Sequence, residues 1–415
     1  MTNFPKKLNW YLVLATGLFT SLCQATQVQA QSFTQQVLVD GLNSPRGITI
    51  DSQGKLYIAE AGTGGASPCI ASPSAQGEEL CYGATGAIAI LDTNTLDLTK
   101  PITNLPSLAL PDGSDASGIH DLYFDAEGDL RGIIGLAGDP NLRDPVLNIP
   151  DFGTLIDINL TVSPSWSSVA DLAAYEIDNN SDGGDVVSNP YSLVTHGNTT
   201  YVVDAGANAL LTIDQNNQID LAAVFPVTDV PTSIPGLPNP FPMQSVPTGS
   251  AIAPDGSIYV VEYTGFPFPP AEADIYRWDG QNLSVVASNF TNLIDLAFAP
   301  DGNLYALAYA SNVLAGDFSG SLWRIGNNGS RSRIAVDGLQ FSTGLAISDS
   351  GSIYIANNGY NAGLGEIIEL EPREVIPEPS TIVTSVLLSV AFGVKKRFKK
   401  IPPLQKRAGV LINLR

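Results

Sequence analysis

The chain has 415 residues, 44% of them hydrophobic, with 39 Gly, 29 Pro and only 15% charged residues, a composition that excludes charge-driven disorder and favours a folded, turn-rich body of one large or two to three ordinary domains. All 41 acidic residues lie between Asp40 and Glu378, whereas residues 31–379 hold only ten of the 20 Lys and Arg, so the body carries a net charge of −31. Such a surface repels phosphate backbones and excludes nucleic acid as a partner; it fits either a non-sticky exported protein or, more sharply, a cation-binding one.

Residues 1–30 read as a secretory signal. Lys6 and Lys7 form the basic start, Trp10 to Cys23 is mostly apolar, and Val28, Gln29 and Ala30 fit the small-residue pattern that places cleavage before Gln31. Leu22 occupies the place where a lipoprotein signal requires a small residue, so Cys23 is not a lipid site. Its removal leaves Cys69 and Cys81 in a Gly/Ser/Pro-rich loop. In an oxidising compartment that pair reads as a disulfide, with a metal pair as the alternative and no His nearby.

From Pro45 onward one phrase recurs: an apolar run, a turn with Gly, and a second apolar run. PRGITIDSQGKLYIAE is the first copy and STGLAISDSGSIYIAN the last, and the turn glycines are Gly54, Gly128, Gly197, Gly256, Gly302 and Gly351. The spacing matches or exceeds that of propeller blades. Third runs such as DIYRW (274–278), SLWRI (321–325) and EIIEL (366–370) follow, and fourth runs such as LSVVAS (283–288) and RIAVDGL (333–339) complete most units. Residues 31–372 therefore read as an all-β, six-bladed β-propeller. The last unit lacks a fourth run, while QQVLVDGL (35–42) precedes the first, so the N-terminal strand is expected to pair with EIIEL and close the ring. In the second unit WSSVADLAAYEI has helical spacing at Val169, Leu172, Ala173 and Ile177, which predicts a helix in place of the outer strand.

Beyond the propeller, residues 373–380 read as a linker carrying Pro377, Glu378 and Pro379. An apolar segment, 381–394, follows, and then a basic tail, 395–415, that starts with Lys395, Lys396 and Arg397. The segment is short for a bilayer span but is stretched by snorkelling flanks, with the basic tail cytoplasmic. This arrangement resembles the bacterial PEP-CTERM sorting signal, which implies an exosortase-type partner, transient anchoring through 381–394 and delivery to the envelope or exterior. A plain C-terminal anchor is the alternative.

An antiparallel hairpin brings the start of its first strand and the end of its second to one edge. In a propeller that edge lies at one face, near the central channel. Strand ends then place Glu60, Asp204, Glu262 and Asn357 on that face, and strand starts add Arg46, His120, Asp121, Tyr191 and Asp295. Three carboxylates and an amide are oxygen donors suited to Ca²⁺, and His120 is the candidate base if its pKa sits near neutral. The alternative for each is a cap that satisfies loop amides. DNNSDGGD (178–185) offers a second calcium candidate through Asp178, Asn180 and Asp182, but Asn189 stands where the closing acid belongs, so a tight turn is the other reading. His196 lies at the opposite edge. Long loops 61–85, 137–152 and 263–273 rise on the candidate face, and TGFPFPPAEAD (264–274) would form a semi-rigid wall.

GLNSPRGITID (41–51), AEAGTGG (59–65), GATGAI (83–88), GIHDLYF (118–124), GLAGDP (135–140) and SNPYSLV (188–194) resemble the ScyD/ScyE family, propeller proteins named from scytonemin clusters of cyanobacteria. The hairpins are also similar to NHL repeats and to gluconolactonase-type propellers. The first resemblance implies an exported propeller; its loop-covered face makes it a binding or scaffold module for a small molecule, glycan or protein. The second implies a divalent metal at the channel mouth and a Ca²⁺-dependent hydrolase.

Overall fold

The structure, a computed structural model, describes residues 32–125, 127–326 and 329–373. The signal segment 1–30, the PEP motif, the apolar segment 381–394 and the tail lie outside the described residues. The body up to Glu371 is one compact unit. Among the described residues no helix is long and apolar enough to cross a membrane.

The recurrent Gly turns form because each turn needs a residue at positive φ, which a Cβ disfavours. All six turn glycines adopt it, with φ between 59° and 87°. Each turn joins an innermost strand to a second strand. In blades one to six these pairs are Pro45–Ile50 with Lys55–Glu60, Ile119–Phe124 with Leu130–Ile134, Pro190–His196 with Thr199–Asp204, Pro247–Ile252 with Ile258–Glu262, Leu293–Phe298 with Leu304–Ala308, and Gly344–Ile347 with Ile353–Asn357. A third and a fourth strand extend each sheet outward. The innermost strand of every blade packs on that of the next, and the first packs on the last. The protein is a six-bladed β-propeller.

Ring closure follows the sequence expectation. The N-terminal strand Phe33–Leu42 forms the outer strand of blade six, beside Gly365–Pro372. Among the described residues every blade thus has at least four strands, which leaves only short outer edges.

Both faces of each blade are covered by neighbours, which explains why second strands such as Tyr57, Ile58 and Ala59 read as continuous apolar runs. The core is correspondingly divided. Six apolar clusters each fill one gap between adjacent blades. At about 25 cal/mol per Å² of apolar surface removed from water, these gaps are where most of the stability resides.

Three details depart from expectation. The second blade keeps its outer strand, Ser165–Asp171, and the helix Leu172–Asn179 follows it instead of replacing it. Asp171 caps that helix through Ala174 N, so the helix begins only where an N-cap is available. Ile177, counted above as part of an apolar stripe, is solvent-exposed. In blade five the outer strand is Arg331–Ile334, two residues ahead of the run expected from RIAVDGL. Loop 61–85 is in part a hairpin: Cys69–Ala71 pairs with the start of the long strand Glu79–Asp92, with Cys69 opposite Cys81. Those two cysteines form a disulfide, and the metal-pair alternative is set aside.

Candidate functional site

The four strand-end residues share a structural role. Each turns back onto the segment that leads into its own blade. Glu60 accepts from Asn43 N at 2.8 Å and meets Lys100 Nζ through both oxygens, at 2.7 and 2.8 Å. Asp204 accepts from Asn189 N, Ser188 Oγ, Gly206 N and Ala207 N, all within 3.1 Å. Glu262 accepts from Ser245 Oγ at 2.5 Å, Asp274 N at 2.8 Å and Tyr276 Oη at 3.3 Å. Asn357 accepts from Gln340 N and Ser342 Oγ, and donates to Gly338 O and Glu366 Oε1.

In this arrangement Glu60, Asp204, Glu262 and Asn357 act as caps within their own blades, the other reading of each. Their lone pairs are committed to loop amides and hydroxyls. Among the described residues no three His, Cys, Asp or Glu side chains gather where they could hold an ion. The residues of the second calcium candidate are engaged similarly. Asp178 belongs to the helix, and Asn180 is its left-handed C-cap with φ 42°. Asp182 accepts from Gly184 N and Asn208 Nδ2. The segment is a helix stop and a turn.

His120 does not meet the condition for a base. It is buried, and burial together with the nearby Arg46 charge lowers its pKa to about 3. Its Nδ1 lies 3.1 Å from Pro190 O, which only accepts, so Nδ1 carries the proton. Nε2 is left as an acceptor facing Ser117 Oγ at 3.4 Å. The ring packs against Tyr191, 4.9 Å between centroids, as part of a wall.

Asp121 and Asp295 lie deeper than expected. They are half-buried and do not line the cavity on the face. Asp121 Oδ2 accepts from Leu193 N and Ser192 Oγ of blade three, and Asp295 Oδ2 accepts from Leu345 N of blade six. Each acid thus ties its blade to the next, and the two are three blades apart. Gly47 and Gly249 make room for them: a Cβ there would sit 2.1 Å from Asp121 Oδ1 or 2.6 Å from Asp295 Oδ1. Desolvation pushes Asp121 up to about 7, and desolvation plus the Asp121 charge raises Asp295 well above the usual carboxylate range.

What the face does hold is a cavity of about 960 Å³ at the channel mouth. Arg46, His120 and Tyr191 line it, as the strand-start reading expected, together with the loops at Ser74–Glu78 and Tyr263–Phe268. Its largest wall was missed by sequence reading. Phe318 stacks on Phe341 at 4.5 Å and Phe341 on Tyr360 at 5.1 Å. Tyr309 stands edge-on to Phe341 at 5.5 Å and to Tyr263 at 5.6 Å, and Phe268 continues the row. These rings come from blades four, five and six. The available signal was the aromatics in the segments after the second strands of blades four, five and six, Tyr263 and Phe268, Tyr309 and Phe318, and Tyr360; their convergence was not visible. Phe268 and Phe341 hold φ of 53° and 47°, a left-handed conformation that costs a bulky residue about 1–2 kcal/mol.

No family model matches the chain, and no curated protein matches it. Solved structures share the fold. A protein of unknown function from Bacteroides thetaiotaomicron superposes with a TM-score of 0.51 at 8% identity, over 83% of this chain and 76% of that one. Regucalcin, a calcium-binding protein from Agrobacterium tumefaciens, gives 0.48 at 12% identity, over 83% and 96%. A gluconolactonase from Xanthomonas campestris gives 0.49 at 8% identity, over 82% and 90%. At such identities the likeness is one of fold, and function has to be argued from the site.

Proposed function

We propose that this chain is an exported propeller of the ScyD/ScyE type that acts as a binding module, taking a small organic molecule into the loop-covered face. The observation that carries this reading is the cavity of about 960 Å³ walled by stacked aromatic rings. Its size falls in the range of small-molecule pockets, and an apolar wall with few polar groups is their usual lining. The positive φ of Phe268 and Phe341 adds support, since backbone strain persists only where surroundings hold it and it clusters at ligand sites.

Export is supported by the sequence signals at both ends and by the Cys69–Cys81 disulfide, a bond typical of oxidising compartments. Sorting through Pro377, Glu378 and Pro379 by an exosortase-type partner belongs to the same reading, as does delivery to the envelope or exterior. The alternative, a Ca²⁺-dependent hydrolase of the gluconolactonase kind, has less support because the acids it would use are engaged within their own blades.

The test is thermal denaturation of the purified protein against a panel of small aromatic compounds and glycans, with lactone turnover followed in parallel. The expected result is a compound that raises Tm and loses its effect in Phe341→Ala. A panel without any stabiliser would sink the binding reading, and lactone turnover requiring calcium would replace it with the hydrolase.

A further inference from the structure

Resting on the binding reading above, we infer that the cavity recognises a planar aromatic monocarboxylate, with Arg46 as the counter-charge to its carboxylate and the ring wall as the seat of its body. Arg46 lies at the start of the first blade's innermost strand and lines the cavity while only 7% exposed. Its Nη2 donates to Ala116 O, its Nε has no hydrogen-bond partner, and among the described residues it makes no ion pair. A buried charge is costly unless paired and hydrogen-bonded. A guanidinium at a cavity wall with a buried, unpartnered Nε and no ion pair is held at a cost that an anion on its fork would offset, and that planar fork suits a carboxylate.

The surroundings narrow the class. Tyr191, Tyr263 and Tyr309 crowd the same region: Arg46 acts electrostatically on Tyr191 and Tyr309, and the three tyrosines act on one another. Burial raises all three phenols, so they stay protonated donors. Asp115 acts on the same three tyrosines and on Arg46, so one guanidinium and several neutral O–H groups face one resident carboxylate, and an incoming monocarboxylate competes with it for Arg46. Arg46 is the only cation among the described residues lining the cavity, so a phosphate dianion would lack a second positive partner. Asp115 also lines the cavity; burial raises its pKa while the Arg46 charge lowers it, and no ion pair joins the two. Glu78 and Asp185 stand at the solvent-exposed rim, where water and salt screen them. The aromatic wall then selects a flat body, through ring–ring contacts beyond simple burial.

Three probes with one ring system and different charge test this: 1-pyrenecarboxylate, 1-pyrenemethanol and protonated 1-pyrenemethylamine, titrated by fluorescence into the purified protein. The carboxylate is expected to bind at least about tenfold more tightly than the alcohol, the preference expected for a charge-assisted hydrogen bond. Arg46→Gln should erase that preference and leave the alcohol unchanged. Tyr309→Phe, which keeps the ring and removes one donor, should weaken the carboxylate alone by about threefold, and it serves if Arg46→Gln fails to fold. Equal or tighter binding of the alcohol or the amine would overturn the carboxylate assignment while leaving a binding pocket. Failure of all three probes would overturn the assignment too, and if the wider panel also fails, the binding reading falls with it.

Discussion

At the scale of single residues, an acid at the end of an apolar strand is explained by what its oxygens meet. Glu262 closes the connection into blade four through Ser245, much as Asp204, Glu60 and Asn357 close theirs. Removing such a group strands buried donors, and each costs about 1–3 kcal/mol. Glu262→Ala is therefore expected to lower the urea unfolding free energy by about 2–3 kcal/mol, whereas Glu262→Gln keeps the shape and costs less. Glu60 differs in having a cation, Lys100, on both oxygens. Lys100→Met leaves a carboxylate that is 1% exposed without its partner and is expected to cost about 1–3 kcal/mol, discounted because Lys100 itself is partly in water. A neutral result in chemical denaturation would mean that Glu60 is held by Asn43 alone. The polarity of these positions was legible in the sequence. Their rotamers were not, because a side chain at a strand end reaches either toward the axis or back to its own loop, and only the neighbouring amides decide.

At the scale of elements, the propeller depends on close approach between innermost strands. Gly47 faces Asp121 across the first and second blades, and the Cβ of Gly47→Ala would also lie 2.9 Å from Asp121 Cα. Overpacking of this kind costs about 1–3 kcal/mol. The substitution should reduce stability by that order, and Asp121→Ala in the same chain should restore part of it. Full additivity of the two changes in a double-mutant cycle would show that the contact is not shared. The hairpin at Cys69–Ala71 carries a different constraint. Its disulfide closes a loop with a sequence separation of 12, for which chain entropy suggests about 3 kcal/mol. Replacing both cysteines by serine should lower Tm reversibly, and an unchanged Tm would place this hairpin outside the cooperative unit. The hairpin turns were readable because a positive φ is a local demand. The helix after the second blade's outer strand was misjudged because apolar periodicity cannot separate a strand's last residues from the helix that continues them.

At the scale of the whole molecule, buried acids and the net charge set the response to pH. Asp121 and Glu262 both titrate near 7 in the folded state, above ordinary values of 3.8 and 4.5. The folded protein therefore holds more protons than the unfolded chain between those limits, and the associated stability is full below about pH 4 and lost as pH rises through 7. Tm should fall from pH 5 to pH 8, opposite to the trend of a protein held by paired carboxylates. Self-repulsion of the acidic body acts in the same direction, so the decisive measurement is the slope in Asp121→Asn with Glu262→Gln, which should be flatter. An unchanged slope would assign the effect to surface charge. Added calcium should leave Tm within about 1 °C if the strand-end acids act as caps, and a calcium-dependent rise in Tm would favour the hydrolase alternative.

The repeat of turn glycines, the number of blades and the closing strand were determined by the sequence itself, because each rests on local backbone demands and on a pattern that repeats. The disulfide was legible from an even cysteine pair in an exported chain, and the long loops from the spacing between runs. The aromatic wall, the inward acids and the lone guanidinium were decided only by tertiary structure. Tyr309, Phe341 and Arg46 lie on three different blades, and the ring joins partners as distant in sequence as Thr343 and Pro45, 298 residues apart. A repeat states where each blade begins and ends. Which side chains then share one cavity depends on how six blades close around a common axis, and that is a property of no single blade.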